Sequence, residues 1–394
     1  MALDDIDLPG LKESALRLAK NVEGLKKRDF VTRIRVGKEP RIKVLRGFRG
    51  VGKTTALLQL MDGKSVYFSM DNPRVRMYSL YDLGKSLVLE GNNTLLIDEV
   101  HYYKQWKEDT KALYDEFPHV SIIVSGSAPL AFEPERRYEI IDVEPLSLSE
   151  YAHIGKGIVV EKNETWLDID KTVGFLARNQ WAYAAYSEYL LGAAFPTYLA
   201  YKDRTLESIY NSILKSVRED AILLPNVDGE LVGQMQRALV LVASSSLGEF
   251  SINSTSNALG MNKNKAYHMI GLLESMRIIR MVRPHGKGAK LVRGDPKMMF
   301  YHPVMRQAIC KMIGMQPDKG AIREEMAVFA LANRGWKIST IKGMKKTPDY
   351  AIEKNNKRII IEIGGQSKTK AQLTGFEGKT LIIGDRQLIT LGLY

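Results

Sequence analysis

The residues best suited to chemistry form one uninterrupted run that combines three glycines, a lysine and a threonine. The run consists of Gly47, Phe48, Arg49, Gly50, Val51, Gly52, Lys53, Thr54. It matches the pattern G-x-x-x-x-G-K-[ST], in which glycines let backbone N–H groups wrap around an anion. Lys53 is predicted to reach the β- and γ-phosphates of a nucleotide and the Thr54 hydroxyl to hold Mg²⁺, with Thr55 as a further nucleotide contact.

A second candidate lies where an apolar stretch ends in two acids. Residues 94–97 read Thr-Leu-Leu-Ile and are followed by Asp98 and Glu99. Such a run predicts a buried parallel strand with carboxylates at its carboxyl end, the edge where ligands of open α/β sheets bind. Asp98 is predicted to complete the Mg²⁺ shell, and Glu99 to orient or deprotonate the attacking water.

Two further positions could act on the same phosphate. The apolar run 120–124 ends near Ser125 and Ser127, and either hydroxyl could contact the γ-phosphate or the water. Beyond them stand Arg136 and Arg137. An arginine there could stabilise transition-state charge, in cis or across a subunit interface, or the two could be a solvated basic pair.

The elements that must position these residues alternate along the first 145 residues. Strands are predicted over 42–45, 65–69, 94–97 and 120–124, with helices over 8–28, 55–61 and 104–117. Alternation of this kind predicts a parallel sheet covered by helices.

The length and composition of the chain limit its number of domains and the class of protein to which it can belong. The chain has 394 residues, enough for two or three domains, and a net charge of +12, which favours a polyanionic partner. Because no apolar run approaches the ~18 residues of a membrane span, and the N-terminus lacks a signal peptide, we expect a cytoplasmic protein without a membrane partner. The single cysteine, Cys310, excludes intrachain disulfides.

The middle of the chain reads as mostly helical, with a breaker at 191–196. From 230 to 305 the pattern is helix (231–244), helix (252–259), a tight turn at Gly260, helix (263–276) and two short strands (278–283 and 289–292). This order predicts a winged helix-turn-helix.

The predicted winged helix is basic on one side. Residues 277–297 hold seven cationic residues against one acid, Asp295: Arg277, Arg280, Arg283, Lys287, Lys290, Arg293, Lys297. With Lys263, Asn264, Lys265 and His268 expected to face outward, residues 263–297 are predicted to contact double-stranded DNA. The alternative is a module used only for packing or oligomerisation.

Together these motifs resemble a prokaryotic, largely archaeal, family of P-loop ATPases of the AAA+/STAND type. Members carry a C-terminal winged helix and often a PD-(D/E)xK nuclease-like tail. Arg49 within the loop and the segment Pro145-Leu146-Ser147-Leu148-Ser149-Glu150-Tyr151 are similar to the family's signatures. The resemblance implies ATP as the nucleotide, a helical lid, and a contact between Pro196 and the adenine; Pro196 as a simple helix breaker is the alternative.

The nuclease-like tail departs from its pattern. A site of that type needs a helix Glu, an Asp after Pro and then Glu-x-Lys, with the acids binding a divalent metal. Here Glu324 or Glu325 could supply the helix acid, Asp349 follows Pro348, and Glu362 is followed two residues later by Gly364 instead of lysine. Lys368 or Lys370 could substitute for it. We therefore expect a degenerate site at Glu325, Asp349 and Glu362 rather than an active nuclease.

The sequence thus predicts an α/β P-loop NTPase core of AAA+ type (residues 1–145), a helical lid (146–227), a winged helix-turn-helix (228–310) and a restriction-endonuclease-like α/β domain (318–394). The expected function is Mg²⁺-dependent ATP hydrolysis coupled to DNA, in a chain that could form homo-oligomers. An ATP-switched DNA-binding regulator with negligible turnover, or a metal-dependent nuclease, are the alternatives.

Overall fold

A computed structural model describes residues 7–39, 41–127, 136–161, 163–224, 226–247, 251–286, 295–341, 347–364, 373, 376 and 378–393. Contacts divide the chain into two compact units, Met1–Glu144 and Pro145–Tyr394. A five-stranded sheet lies in the first unit, and a two-stranded and a four-stranded sheet lie in the second.

The strands of the first unit are β1 (Ile42–Arg46), β2 (Ser65–Ser69), β3 (Thr94–Asp98), β4 (Ser121–Gly126) and β5 (Tyr138–Asp142). All pair in parallel, in the order β2-β3-β4-β1-β5. The first four are almost wholly buried, as their continuous apolar runs predict, because helices cover both faces of such a sheet. Strand β5, at the edge, is half exposed and mixes polar with apolar residues, which is why the sequence did not reveal it.

The helices of the first unit are α1 (Leu8–Lys20), α2 (Asp29–Arg33), α3 (Lys53–Gln59), α4 (Leu80–Leu89) and α5 (Trp106–Glu116). The helix predicted over 8–28 ends at Lys20, because a turn follows in which Gly24 adopts a φ of 81°. The core between these helices and the sheet includes Ile42, Leu83, Leu95, Ile97, Leu113. It fixes the carboxyl ends of β1, β3 and β4 along one edge of the sheet.

The helices of the second unit are α6 (Leu148–Lys156), α7 (Ile169–Arg178), α8 (Trp181–Glu188), α9 (Thr197–Ala200), α10 (Thr205–Lys215), α11 (Gly229–Ser244), α12 (Ile252–Leu259), α13 (Lys263–Ser275), α14 (Pro303–Met312), α15 (Lys319–Asn333) and α16 (Asp385–Gly392). The predicted breaker after α8 is centred on Gly192, whose φ is 134° and whose added Cβ would lie 2.8 Å from Cγ2 of Thr205. Within the described ranges, no helix is long and apolar enough to cross a membrane.

Helices α11, α12 and α13 precede a short antiparallel pair, β6 (Ile279–Val282) and β7 (Lys297–Phe300). Gly260, with a φ of 61°, ends α12, and the side chain of Asn262 caps α13. The strand predicted over 289–292 lies outside the described residues; the strand that pairs with β6 begins at Lys297.

The four-stranded sheet consists of β8 (Lys337–Thr340), β9 (Tyr350–Lys354), β10 (Lys357–Ile363) and β11 (Lys379–Ile383). Its order is β11-β10-β9-β8, with β10 and β11 parallel and the other pairs antiparallel. Asn355 and Asn356, both at positive φ, form the two-residue β9–β10 turn, a conformation that asparagine tolerates well. The basic loop 342–346 and Lys368 and Lys370 lie outside the described residues.

A fully buried ion pair connects four elements of the second unit. The Arg306 guanidinium of α14 donates to Oε1 of Glu325 on α15 at 2.8 and 2.9 Å, and neither side chain is exposed. Arg306 Nη1 also donates to the carbonyl oxygens of Val242 and Ala243 at the end of α11, and the N–H of Phe300 on β7 donates to Glu325. This network fixes the helices around β7.

Candidate nucleotide site

The glycine-rich run is the loop between β1 and α3, and its glycines are required by geometry. A Cβ on Gly47 would lie 2.2 Å from the carbonyl oxygen of Val143, so any side chain there would collide with backbone. Gly50 and Gly52 adopt φ angles of 78° and 98°, where other residues are strained. A glycine loop ahead of the amino end of a helix, as here before α3, is the arrangement that can present successive N–H groups to an anion.

Lys53, the first residue of α3, contacts this loop. Its Nζ donates to the carbonyl oxygens of Gly47 (2.8 Å) and Phe48 (3.0 Å), and the residue is buried. The cationic group is thus held against the backbone of the loop.

Arg28 supports the loop from behind and was not identified from the sequence as a functional residue. Its Nη1 donates to the carbonyl oxygens of Val51 (2.6 Å) and Glu144 (2.9 Å). Arg28 ends a basic run that resembles a solvated helix end, so neither motif nor spacing distinguishes it from its neighbours. Through these two hydrogen bonds the side chain of Arg28, which lies just before α2, joins the loop to the segment after β5.

Asp98, at the end of β3, is the centre of a hydrogen-bonded cluster. Its Oδ2 accepts from Thr54 Oγ1 (2.6 Å) and from the Tyr67 hydroxyl (3.0 Å), and its Oδ1 accepts from the Ser125 hydroxyl. Burial and the Asp98 charge raise the pKa of Tyr67, so this phenol stays a donor. The carboxylate is therefore fixed in orientation by donors from β2, β4 and α3.

Glu99 follows with a left-handed backbone (φ 51°), unusual for a residue with a side chain. Its Oε2 lies 3.2 Å from Nδ1 of His101, although the two groups are not aligned as a hydrogen bond. Nε2 of His101 lies 3.4 Å from the Ser127 hydroxyl. The two serines that the sequence left as alternatives thus have different neighbours: Ser125 contacts Asp98, and Ser127 contacts His101.

A cavity of about 800 Å³ opens beside Thr54, Asp98 and Glu99. The rest of its lining comes mainly from α1, from β2 and from the segment between β2 and α4, and includes Leu11, Ser14, Asp71, Asn72, Arg74. The carboxylates of Asp98 and Glu99 therefore border a space accessible to water and to a larger molecule.

The remaining candidates of the first unit lie in two places. Nη2 of Arg49 donates to the Tyr102 hydroxyl at 3.0 Å, which ties the loop to the turn after Glu99. Arg137 precedes the amino end of β5, at the sheet edge opposite the loop, and its Nε lies 3.3 Å from Asp115. A contact in cis with the phosphates does not fit this position, whereas a contact across a subunit interface stays a prediction.

Pro196 belongs to the second unit, where it immediately precedes α9. Its contact with adenine therefore stays a prediction.

The acids predicted for the nuclease-like tail do not assemble as expected. Glu325 is the partner of Arg306 in the interior, so it is not the helix acid of that site; successive helical side chains point about 100° apart. Glu324, the other helix acid that the sequence offered, pairs with Lys297 of β7, whose Nζ lies 3.7 Å from Asp349. Burial raises the pKa of Glu324.

Asp349 and Glu362 are joined through the backbone. Glu362 accepts from the N–H of Asp349 (3.2 Å), and Asp349 accepts from the N–H of Ile363 (2.8 Å). Among the described residues there is no group of three or more His, Cys, Asp or Glu side chains arranged to hold a metal ion. Glu324 and Asp349 instead share the ammonium group of Lys297.

Some of the residues predicted to contact DNA are exposed, whereas others pair with acidic side chains. On α13, Lys263, Asn264, Tyr267 and His268 are exposed, whereas Lys265 pairs with Glu230 at 2.9 Å. Of the seven cationic residues of 277–297, Lys297 pairs with Glu324, Arg283 lies 3.2 Å from Glu274, and Arg280 stacks on Tyr301. Lys287, Lys290 and Arg293 lie outside the described residues.

Comparisons with known proteins are consistent with the fold described for the first unit. Residues 39–152 match a family model described as an AAA domain, and residues 183–316 match one described as a domain of unknown function (DUF8612). The uncharacterized protein MJ1637 of Methanocaldococcus jannaschii is 27% identical over 384 residues, covering 87% of this chain and 80% of that protein. The AAA match, the parallel sheet and the loop between β1 and α3 identify an α/β P-loop NTPase core of AAA type.

Solved structures give weaker similarities. The STAND ATPase PH0952 of Pyrococcus horikoshii, with a tetratricopeptide repeat sensor, has a TM-score of 0.27 at 11% identity; the match covers 79% of this chain and about half (47%) of that one. A single-substitution variant of RuvB from Thermotoga maritima has a TM-score of 0.31 at 14% identity, covering 79% of this chain and 96% of that one.

Proposed function

We propose that the protein binds ATP and hydrolyses it to ADP and phosphate. The observation that carries the proposal is the convergence of the loop lysine, Thr54, Asp98 and Glu99 at one sheet edge beside an open cavity. The phosphates would lie against the loop N–H groups and exchange the carbonyl contacts of Lys53 for charge-assisted bonds to phosphate oxygens.

The residues present fit Mg²⁺. A hydroxyl and a carboxylate oxygen, Thr54 Oγ1 and Asp98 Oδ2, lie 2.6 Å apart and are the hard oxygen donors that this ion prefers. Mg²⁺ in nucleotide sites is held by one or two protein groups together with phosphate oxygens and water, so a larger acidic cluster is not needed. When bound, the ion would neutralise charge on the β- and γ-phosphates.

In the proposed step, a water oxygen forms a bond to the γ-phosphorus while the bond to the β–γ bridging oxygen breaks. Glu99 accepts the proton of the water, Lys53 stabilises the oxygens of the γ-phosphate, and ADP leaves. Ser125 holds Asp98 in the orientation that the metal needs. Ser127 is the hydroxyl left to contact the γ-phosphate or the water.

Glu99→Gln tests this proposal in a steady-state assay of phosphate release. We expect turnover to fall by roughly 10²- to 10⁴-fold while ATP binding is retained, because the amide cannot accept the proton. Glu108→Gln, an exposed acid in the first turn of α5, is the matched control and should leave turnover unchanged. A wild type that binds ATP without hydrolysing it would favour the ATP-switched regulator instead.

We further propose that double-stranded DNA binds along α13. Support comes from Lys263, Asn264, Tyr267 and His268, four exposed polar or aromatic residues on a helix that follows a tight turn, in a unit of the order helix, helix, helix, strand, strand. Fluorescence anisotropy with a labelled duplex should show weaker binding for the double variant Lys263→Ala, Asn264→Ala. Lys311→Ala, exposed at the end of α14, is the control, and equal affinity in all three proteins would refute the assignment.

A homo-oligomer is the setting in which Arg137 could act. Support is limited to its position, partly exposed at the sheet edge opposite the loop, where it is available to a second copy. Arg137→Ala should then lower turnover only at protein concentrations at which wild-type turnover per subunit increases. If wild-type turnover per subunit is independent of concentration, Arg137 has no role in trans.

A further inference from the structure

Helices α10, α11 and α14 of the second unit border an open groove with a volume of about 480 Å³. Both α10 and α11 pack on α14, and Ile309 of α14 lines the groove. Ile213 of α10 and Leu239 of α11 line it as well, and each of these three residues is at most 2% exposed. The groove therefore has an apolar floor, and it belongs wholly to the second unit.

Two arginines border this groove from different segments. Arg237 belongs to α11, and Arg218 belongs to the turn Ser216–Asp220, which continues α10 and packs on α11. Both arginines are exposed, and neither has an ion pair or a hydrogen bond with another of the described residues. In the part of the chain that the structure describes, no acidic residue lines the groove. The groove is therefore positively charged at its border and apolar at its floor.

Gly233 lines the groove from the second turn of α11, an interior position at which glycine lowers helix stability relative to alanine. Neither the backbone nor the packing requires glycine there. Its φ is not positive, and an added Cβ would have no heavy atom within 4 Å. The space in front of Gly233 is therefore part of the groove, which a larger side chain at this position would narrow.

The size and lining of the groove favour a small molecule over a partner helix. Sites for small molecules have volumes of about 300–1,000 Å³ and combine a mostly apolar lining with a few polar groups. Of the large apolar residues that are exposed in the described part of the chain, only Val240 lines the groove, whereas a partner helix would need a broad exposed apolar face. Guanidinium groups bind carboxylates and phosphates through paired hydrogen bonds, so the two arginines indicate an anionic group on this molecule.

We propose that the groove binds a single-chain amphiphile whose head group is a carboxylate or a phosphate. The apolar chain lies along Ile213, Leu239 and Ile309, and Arg218 and Arg237 bind the head group. This site is separate from the proposed nucleotide site, and its test does not depend on ATP hydrolysis.

The class of ligand is tested by isothermal titration calorimetry with decanoate, decyl phosphate, neutral decyl glucoside and cationic decyltrimethylammonium, each below the concentration at which it forms micelles. The wild type should bind one or both anions, with one molecule per chain. Affinity should be at least about tenfold higher than for the neutral and cationic compounds, which cannot accept charge-assisted hydrogen bonds between two ions. The anion that binds more tightly identifies the head group. Absence of binding by both anions, or equal affinity for the cation, would refute the proposal.

A substitution that fills the groove tests its location without weakening the fold. Gly233→Leu should lower the affinity for the anion by at least about tenfold, because the new side chain would occupy the space of the ligand. Since leucine is the better helix former, the second unit should be at least as stable in urea as the wild type. Gly271→Leu is the matched control, because Gly271 is also inside a helix and its added Cβ would have no heavy atom within 4 Å.

The charged contacts are tested by removing one guanidinium at a time. Arg218→Gln and Arg237→Gln should each lower the affinity by roughly tenfold, whereas Arg204→Gln, an exposed position just before α10, should leave it unchanged. Unchanged affinity in the two groove variants and in Gly233→Leu would show that the anion binds elsewhere. If the two variants instead weaken binding of a labelled DNA duplex and no amphiphile binds, the arginines contact nucleic-acid phosphates and the proposed site is wrong.

Discussion

The buried pair of Arg306 and Glu325 gives the most quantitative prediction. Glu325→Ala removes the carboxylate that pairs with Arg306, whose side chain has no exposure, and also removes the acceptor of the Phe300 N–H. Breaking a buried ion pair by deleting one partner typically costs 3–5 kcal/mol, since the remaining charge stays in a medium of low polarity. Contacts from Arg306 to backbone carbonyls reduce this cost, so we expect Glu325→Ala to lower the free energy of unfolding by about 4 kcal/mol.

Glu324 is the matched comparison, because it is the neighbouring residue of the same helix and also pairs with a cation. Its side chain is 14% exposed and that of its partner Lys297 17%, so water can solvate the group that is left. Glu324 also accepts from the Tyr350 hydroxyl at 2.8 Å, so Glu324→Ala should cost about 2 kcal/mol. The double variant Arg306→Met, Glu325→Leu removes both charges and should recover most of the loss from Glu325→Ala.

The positions of the tryptophans allow unfolding of the second unit to be measured separately by fluorescence. Of the four tryptophans, Trp106 belongs to the first unit, whereas Trp166, Trp181 and Trp336 belong to the second. In a Trp106→Phe background, the fluorescence change in urea therefore reports unfolding of residues 145–394. Equal destabilisation by Glu324→Ala and Glu325→Ala, or a total below about 1 kcal/mol for the latter, would refute the reasoning.

Three further outcomes follow from single contacts. Gly47→Ala should abolish binding of a fluorescent ATP analogue while the fold is kept by circular dichroism, because its Cβ would lie 2.2 Å from the Val143 carbonyl. Arg28→Met should weaken ATP binding by roughly tenfold, since a charge-assisted bond to the Val51 carbonyl is worth about 1.5–3 kcal/mol; unchanged affinity would exclude the support role. Burial lowers the pKa of His302 to about 3. The unfolded chain therefore binds a proton near pH 6.5 that the folded chain does not bind, so the free energy of unfolding decreases as the pH falls. Between about pH 8 and pH 5 the wild type should therefore lose about 2 kcal/mol more than His302→Asn in urea titrations; parallel curves would show that the imidazole is not the cause.

The core and its motifs are the part that sequence predicts well. A phosphate loop is encoded by consecutive residues whose backbone demands are local, and its strand and helix are contiguous with it in the chain. The acids after β3 are likewise fixed by a strand whose burial is visible as an apolar run. Arg28, Tyr67 and His101 were not predicted, because their roles depend on contacts between distant segments that no local pattern records.

The second unit shows the limit more clearly. Glu324 and Glu325 are adjacent and chemically identical, yet one is partly exposed beside Lys297 and the other is sealed against Arg306. Only the rotation of α15 against its neighbours decides which is which. Residues 277–297 are a similar case. Their seven cations predict a phosphate-binding surface, but Lys297 and Arg283 have acidic partners supplied by other segments.

Two of the side chains proposed to bind MgATP, Lys53 and Thr54, have hydrogen-bond partners within the first unit. Lys53 donates to two carbonyl oxygens of its own loop, Thr54 donates to Asp98, and Glu99 lies beside His101. For Lys53 and Thr54, the proposed binding of MgATP is therefore an exchange of contacts. The exchange favours a polyanion, because both partners of a lysine–phosphate bond are charged, whereas in the bonds to the carbonyls of Gly47 and Phe48 only the lysine is charged. A loop whose lysine already donates to its own carbonyls is therefore expected to favour a ligand that carries several negative charges over a neutral one.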